Sequence, residues 1–223
     1  ILSVGPTSKL ADYAGNCDEV HDLSGHIVLP GLVNTHHHLF QNFTRVVPAA
    51  QDHSLFGWLQ TLYPIWLNLK PEDFYVAAAT GLAELVLSGC TTSSDHQYLF
   101  PNGSRLEDSI EAAADVGIRF TATRGSMSIG ESKGGLPPDQ LCEAEDSILK
   151  DCLRVIDAHH DASDHAMIQI ALAPCSPFSV STELMADTAR MAADKGVGLH
   201  THLAENSEDI DYSLAQFGQR PGD

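Results

Sequence analysis

Hydrophobic and polar positions follow two different periods from about residue 31 onward. In residues 71–88 apolar side chains recur at helical spacing, with Pro71 in the first turn, two acidic residues beside it and Gly89 at the end, which predicts a helix. Short apolar or β-branched runs, typical of strands, lie at residues 32–33, 90–94, 118–124, 166–173 and 197–203. Further helices are predicted at about residues 105–116, 139–160 and 181–195, and from residue 208 onward.

This order of strands and helices predicts an α/β fold. Strands that alternate with helices form a parallel sheet covered by helices, and the candidate chemical residues follow predicted strands, as in a TIM-type barrel. A doubly wound sheet usually has a glycine-rich GxGxxG first turn, which this sequence lacks. We therefore predict a partial (β/α)8 barrel in which about five of the eight βα units are present.

Residues 1–30 differ from the rest of the chain because turn-forming residues dominate them, and the run HIVLP at 26–30 predicts one short strand. We interpret residues 1–30 as the remnant of a small β-sandwich domain and residues 31–223 as the first five βα units of the barrel. The chain has no initiator methionine and ends at Gly222-Asp223 without a clear finish. We therefore expect the C-terminal part of the barrel to lie outside this sequence.

The composition excludes several classes of protein. The 223 residues include 12 Lys and Arg against 30 Asp and Glu, so the net charge is 12 − 30 = −18 with neutral histidine. This balance argues against a nucleic-acid partner, which needs a basic face, and no apolar run approaches the roughly 18 residues of a membrane span. Five dispersed cysteines without a CxxC pair favour a reducing compartment, so we predict a cytoplasmic location.

A run of three histidines follows the first predicted strand. His36 and His38 are two residues apart and therefore share one face of an extended chain, whereas His37 points away from it. Neutral imidazole is a good zinc ligand, so His36 and His38 can converge on one ion. A solvated, histidine-rich turn is the alternative interpretation.

A second motif, LHTHLAE, follows the fifth predicted strand. His202 is the candidate metal ligand, and we expect His200, one pleat below it, to be a satisfied interior histidine. Glu205 lies where the strand gives way to a loop, so it is either an acid at the start of a helix or a carboxylate that reaches a metal-bound water. With the first motif, this gives three imidazoles and one carboxylate at one barrel mouth, which is the pattern of a catalytic zinc site.

These motifs resemble those of the amidohydrolase superfamily. The segment PGLVNTHHH (30–38) resembles its first-strand signature, and HLAE (202–205) resembles the fifth-strand signature of its aminohydrolase, or deaminase, branch. Within that branch, four further segments resemble the subgroup of 8-oxoguanine deaminases and hydroxydechloroatrazine ethylaminohydrolases. They are HHHLFQ (36–41), CTTSSDH (90–96), PNGSRL (101–106) and APCSPFSVS (173–181).

The resemblance implies a metal-dependent site. One zinc ion would be bound by His36, His38 and His202, and Fe²⁺ or Mn²⁺ would suit the same ligands. Glu205 would take a proton from the zinc-bound water and pass it to the leaving amine. The family also has a histidine after its sixth strand and an aspartate after its eighth, and both would lie outside this sequence.

Three further residues are candidate substrate contacts. The resemblance implies that Gln41, three residues after His38, touches a purine-like ring, and that Cys175, after the fourth predicted strand, is a substrate-contacting side chain. His96 follows the second predicted strand and can touch substrate, the alternative being a polar residue of the barrel rim. Cys175 lacks the partners of a nucleophile, so no covalent intermediate is predicted.

The implied reaction is the zinc-dependent hydrolytic deamination of an oxidised purine, with 8-oxoguanine converted to urate and ammonia. A triazine (hydroxyatrazine-type) ethylaminohydrolase and a guanine or isoxanthopterin deaminase would use the same machinery. An inactive metal-binding fragment is an alternative of a different class, and binuclear amidohydrolases are disfavoured because the fourth strand, IQIALA, has no bridging lysine. The implied partners are a small heterocyclic substrate and water, without nucleic acid or membrane, and analogy suggests homo-oligomers.

Overall fold

A computed structural model describes residues 3–223. Its five strands are β1 (Leu32–Asn34), β2 (Cys90–Gln97), β3 (Arg119–Ser126), β4 (Ile168–Pro174) and β5 (Gly198–Leu199). Its α-helices are α1 (Thr7–Ala14), α2 (Leu55–Trp66), α3 (Pro71–Leu87), α4 (Leu106–Val116), α5 (Glu145–His159), α6 (Thr182–Lys195) and α7 (Ser207–Phe217). Short 3₁₀ helices cover Leu39–Thr44, Pro48–Ala50, Pro101–Gly103, Glu131–Lys133 and Asp139–Leu141.

The chain divides into two compact units, Ile1–Pro30 and Gly31–Asp223. In the described part of the first unit, residues 3–30, the regular element is the helix α1, and the strand predicted at residues 26–30 is not formed. That prediction was wrong because Ile27 and Val28 lie exposed and a strand needs a paired neighbour to satisfy its backbone groups. The assignment of this unit to a small β domain stays a prediction.

The second unit is built on one parallel sheet with the strand order β1-β2-β3-β4-β5. Each strand pairs in parallel with the next one along the chain, and the connections between them are helical, as predicted. The five strands form a curled half-barrel. The partial TIM-type barrel predicted from the alternation of strands and helices is therefore confirmed.

The helices α3, α4, α5 and α6 pack against this sheet, and the helix ends follow the sequence signals. In α4 the Asp108 carboxylate accepts the Arg105 N–H at 2.8 Å, and the helix ends at Gly117, whose φ of 78° needs a glycine. In α7 the Asn206 side chain accepts the Asp209 N–H at 2.9 Å, as asparagine at a helix N-cap commonly does. The largest group of buried side chains lies between helices and sheet and includes Leu82, Ala113, Ile148, Ile170 and Leu184.

A second apolar group lies near the carboxyl ends of the strands, where the chain between β1 and β2 folds over them. Its buried members include Phe40, Leu62, Trp66, Phe74 and Leu99. The sequence pattern predicted no helix there, yet α2 forms, with Pro64 inside its last turn. Proline and Gly57 weaken the helical signal, and burial of the apolar face of α2 outweighs them.

Two strands, β2 and β5, differ from their predicted lengths by more than one residue. The strand β2 continues to Gln97, so His96 lies within the strand rather than after it. The strand β5 has only two residues, Gly198–Leu199, instead of the seven at 197–203. It pairs on one side only, with β4, so fewer hydrogen bonds hold it in register.

No helix of the described residues is both long and apolar enough to cross a membrane. The five cysteines in this part of the chain are all free.

Candidate active site

Three histidines that are far apart in sequence meet at the carboxyl ends of the strands. His36 and His38 follow β1, and His202 follows β5. In a flat sheet these two edge strands would lie four spacings apart, about 19 Å. The His38 Nε2 and His202 Nε2 atoms are nevertheless 3.1 Å apart, because the sheet curls and both side chains point to its concave side.

The segment after β1 is held by hydrogen bonds to the end of β2. The Leu39 N–H donates to Asp95 Oδ1 at 2.7 Å, and the His96 N–H donates to the carbonyl oxygen of His37 at 2.7 Å. His36 and His38 therefore lie beyond the strand itself, which ends at Asn34. They keep the alternation expected of an extended chain, since His36 Nε2 and His38 Nε2 are 3.2 Å apart and His37 is not in the cluster.

The tautomers of two of the rings follow from their neighbours. His38 Nδ1 lies 2.7 Å from the carbonyl oxygen of His96, and His202 Nδ1 lies 2.7 Å from the carbonyl oxygen of Cys175. A carbonyl oxygen only accepts, so each Nδ1 carries the proton and donates it. The Nε2 atom of each neutral ring is then left with a lone pair.

This arrangement fits a metal ion. The His38 and His202 Nε2 lone pairs face each other at 3.1 Å with no proton to share between them, which is unfavourable unless a cation lies beside both. A tetrahedral ion with metal–nitrogen distances of about 2.0–2.1 Å sets its ligand atoms about 3.3 Å apart. The observed separations of 3.1 Å and 3.2 Å match that requirement, and the three rings form one of the candidate metal-holding groups.

The electrostatics of the cluster favour neutral rings. Burial lowers the pKa of His36, and with the added effect of the neighbouring His202 and His200 rings it falls to about 4. Burial likewise lowers the pKa of His38 to about 3, against a hydrogen bond to the backbone of His96 that raises it. Both rings therefore present lone pairs at neutral pH, as metal ligands must.

Glu205 lies at the mouth of the same site. It follows Ala204, whose φ of 56° turns the chain sharply, and its N–H donates to Asp209 Oδ2 at 2.8 Å. The carboxylate is exposed and lines the cavity beside His38 and His202. Glu205 therefore lies just before helix α7 (Ser207–Phe217) and also beside the histidine cluster. This one position suits both interpretations from the sequence, an acid at the start of a helix and a carboxylate that reaches a metal-bound water.

A cavity of about 250 Å³ opens over the histidine cluster. Gln41, Cys175 and Glu205 line it together with His36, His38 and His202. An apolar wall makes up most of the remaining lining and is formed by Leu55, Trp58, Leu59, Tyr63, Met127, Leu136, Pro137 and Phe178. A few polar groups in a largely apolar lining are typical of small-ligand sites.

Tyr98 also lines this cavity, and sequence reasoning missed it. Its hydroxyl accepts a hydrogen bond from the Gln41 side-chain amide at 3.2 Å, so it fixes the orientation of a predicted substrate contact. A Cβ atom at Gly125 would come within 2.7 Å of the Tyr98 Cβ. The glycine in β3 is therefore needed for Tyr98 to lie where it does.

Cys175 is buried at the base of the cavity, with its Sγ 3.8 Å from His202 Nδ1. Burial raises the pKa of its thiol to about 12, although a hydrogen bond involving Ser179 lowers it. A thiol in this state is neither an effective nucleophile nor a ready metal ligand, which agrees with the expectation that no covalent intermediate forms on it.

Two further histidines, His96 and His200, contact the rings of this cluster. His96 is fully buried, stacks on the His202 ring at 4.6 Å and is not among the residues that line the cavity. The structure thus places His96 within β2 and outside the lining of this cavity, and its contact with substrate stays a prediction. His200 is half-buried, and its Nε2 is 2.9 Å from His36 Nδ1.

Sequence reasoning also missed the apolar wall of the cavity. Four of its residues come from α2, where the sequence pattern predicted no helix. In this helix Trp66 is fully buried, whereas Trp58 reaches the cavity. The recurrence of Leu55, Trp58, Leu59 and Leu62 at helical spacing was the signal that could have revealed this face.

The chain belongs to the amidohydrolase family, whose model matches residues 27–222. It is 51% identical over 211 residues to an 8-oxoguanine deaminase from Pseudomonas aeruginosa, covering 93% of this chain and 46% of that protein. It is 37% identical over 207 residues to a hydroxydechloroatrazine ethylaminohydrolase from Pseudomonas sp. strain ADP, covering 91% and 43% respectively.

Solved structures agree with this assignment. An atrazine chlorohydrolase from Arthrobacter aurescens TC1, crystallised with zinc, superposes with a TM-score of 0.80 at 36% identity, covering 86% of this chain and 44% of that one. The chain thus spans less than half the length of the relatives it matches. The family resemblance expected from the histidine motifs is confirmed, and a zinc-containing neighbour supports a metal cofactor.

Proposed function

We propose that the protein is a zinc-dependent aminohydrolase that converts 8-oxoguanine and water to urate and ammonia. The observation that carries this proposal is the convergence of three imidazoles at a cavity that Glu205 also lines. His38 Nε2 lies 3.2 Å from His36 Nε2 and 3.1 Å from His202 Nε2. The 51% identity to an 8-oxoguanine deaminase supports the choice of substrate.

The ion would be held by the Nε2 atoms of His36, His38 and His202. These atoms carry lone pairs because the proton of each ring is on Nδ1, which donates to a neighbouring group. Zinc, when bound, supplies a water of lowered pKa, near 7, at neutral pH. Glu205 would accept a proton from the attacking water and deliver it to the departing amine, because ammonia leaves readily only when it is protonated. One carboxylate thus acts in turn as base and as acid.

The cavity would bind the ring as a flat, polar-edged heterocycle. Its volume of about 250 Å³ lies just below the range of about 300–1,000 Å³ for drug-sized ligands, which suits one small fused ring system. The apolar wall, including Trp58 and Phe178, would cover the ring face, and the Gln41 amide would pair with a polar edge. A small heterocycle and water are the partners that this geometry accommodates.

A triazine substrate is the second candidate. The 37% identity to a hydroxydechloroatrazine ethylaminohydrolase and the superposition on a zinc-bound atrazine chlorohydrolase favour it, since the same metal and carboxylate would displace an alkylamine. A 33% identical isoxanthopterin deaminase adds a pterin to the series. These substrates differ in ring size and in the polar edge presented to Gln41.

The test is release of amine by the full-length, zinc-loaded protein from 8-oxoguanine, guanine, isoxanthopterin and hydroxy-N-ethylaminotriazine. We expect 8-oxoguanine to give the highest kcat/KM. Glu205→Gln should keep its zinc and lose at least about 10²-fold in kcat, whereas the nearby exposed change Glu208→Gln should leave kcat unchanged. Preference for a triazine would overturn the substrate assignment, and zinc binding without any amine release would favour a metal-binding protein that is not an aminohydrolase.

A further inference from the structure

His200 makes a contact that neither the metal site nor the cavity explains. Its Nε2 lies 2.9 Å from His36 Nδ1, and the two ring centroids are 4.9 Å apart. Its backbone N–H donates to the carbonyl oxygen of Leu172 at 2.8 Å, so β4 fixes its position. His200 is not among the residues that line the cavity, and a substrate contact is therefore not its role.

The direction of this hydrogen bond follows from the cluster. His36 Nε2 faces His38 Nε2 at 3.2 Å and must be unprotonated to bind an ion there. A neutral imidazole has one N–H, so the proton of His36 is on Nδ1. His36 Nδ1 then donates to His200 Nε2, which accepts with its lone pair.

All three ligand rings are thereby held in the same way. His38 Nδ1 donates to the carbonyl oxygen of His96, and His202 Nδ1 donates to that of Cys175. For His36 Nδ1 the acceptor is the His200 imidazole instead of a carbonyl oxygen. Partners of this kind fix the tautomer and orientation of a ligand, and their loss typically lowers metal affinity 10–100-fold.

We infer that His200 is a positioning residue of the metal centre, which holds His36 in the Nδ1–H tautomer so that its Nε2 faces the ion. This inference rests on the proposed metal-dependent function. It adds a role to the expectation that His200 is a satisfied interior histidine, and that expectation itself stays a prediction. The competing explanation is a second ion held by His36, His96 and His200, whose nitrogen atoms also lie within 4.8 Å of one another.

The test compares His200→Gln with His200→Met in the full-length protein. Glutamine keeps an acceptor near the position of Nε2, whereas methionine has a similar length and no strong acceptor. Zinc affinity is measured by competition with a chromogenic chelator, and ligand geometry by the visible spectrum of the Co²⁺ form. We expect His200→Met to weaken zinc binding about 10–100-fold and to shift the Co²⁺ spectrum, and His200→Gln to remain within about threefold of the unmodified protein.

The controls separate the possible failures. Long-range ¹H–¹⁵N correlation spectra of the unmodified zinc protein report the His36 tautomer without any substitution, and a proton on Nδ1 is expected. Metal coordination by His36 Nδ1, or equal zinc affinity in His200→Met, would overturn the inference. Two zinc equivalents per chain would favour the second-ion explanation. Failure of the unmodified protein to bind zinc would instead refute the proposed function.

Discussion

Arg124 offers a stringent test of what holds the half-barrel together. It lies on β3 with 1% of its side chain exposed, yet it carries a full charge. Its Nε donates to Asp151 Oδ2 at 2.7 Å and its Nη2 donates to Glu143 Oε1 at 2.8 Å. Its guanidinium also lies 3.9 Å over the Phe100 ring. Replacement by methionine keeps most of the packing and removes the charge.

The expected cost follows from these contacts. Removal of one partner of a buried ion pair typically costs about 3–5 kcal/mol, because the remaining charge is left uncompensated. Here the two carboxylates are 27% and 30% exposed, and Asp151 keeps a hydrogen bond from Arg154 at 2.7 Å. We therefore expect the lower end, a loss of about 3 kcal/mol in the free energy of unfolding for Arg124→Met.

The assay is urea unfolding followed by circular dichroism. The matched control is Arg190→Met, which removes an exposed ion pair with Asp187 and should change the free energy of unfolding by less than about 0.5 kcal/mol. Addition of Glu143→Gln and Asp151→Asn to Arg124→Met should recover part of the loss, since no unpaired carboxylate then remains. A loss below about 1 kcal/mol for Arg124→Met would refute the reasoning.

Three further predictions concern the cavity and the helix surface. Cys175→Ala should keep kcat within about threefold, because the buried thiol stays protonated with its pKa raised to about 12; a hundredfold loss would contradict this. Tyr98→Phe should raise KM about fivefold at unchanged zinc content, because Gln41 loses a hydrogen bond of about 1 kcal/mol; an unchanged KM would argue against that orienting role. Burial raises the pKa of Glu107, but hydrogen bonds from Arg154 outweigh it and hold the pKa at about 2. The stabilisation from Glu107 is therefore present above about pH 4.5 and lost as the pH falls toward 2, and acid unfolding curves of Glu107→Gln should lack that part of the decline.

The convergence of the three histidines could be predicted from sequence because it depends on local alternation and on the order of the strands. Alternation places His36 and His38 on one side of the chain, and parallel βα units bring the carboxyl ends of distant strands to one edge. His202 joins them for the same reason. Neither argument needs the strands to have their predicted lengths, so the shortness of β5 (Gly198–Leu199) did not matter.

The remaining features of the site depend on contacts that no local pattern contains. The role of Tyr98 follows from a hydrogen bond across 57 residues to Gln41, and that of His200 from one across 164 residues to His36. His96 was predicted to follow β2, as a substrate contact or a rim residue, because β2 was predicted to end too early. A strand buried in the middle of a sheet continues as long as its neighbours pair with it, and β3 pairs with β2 up to Gln97.

The central claim, one metal ion held by three converging histidines, is tested most directly by crystals of the zinc-loaded, full-length protein. Diffraction data collected on either side of the zinc absorption edge locate the ion independently of any assumption about its ligands. The account predicts one anomalous peak per chain, in contact with Nε2 of His36, His38 and His202. A protein that has taken up zinc but shows no peak at these three nitrogens, or shows it elsewhere, would contradict the account.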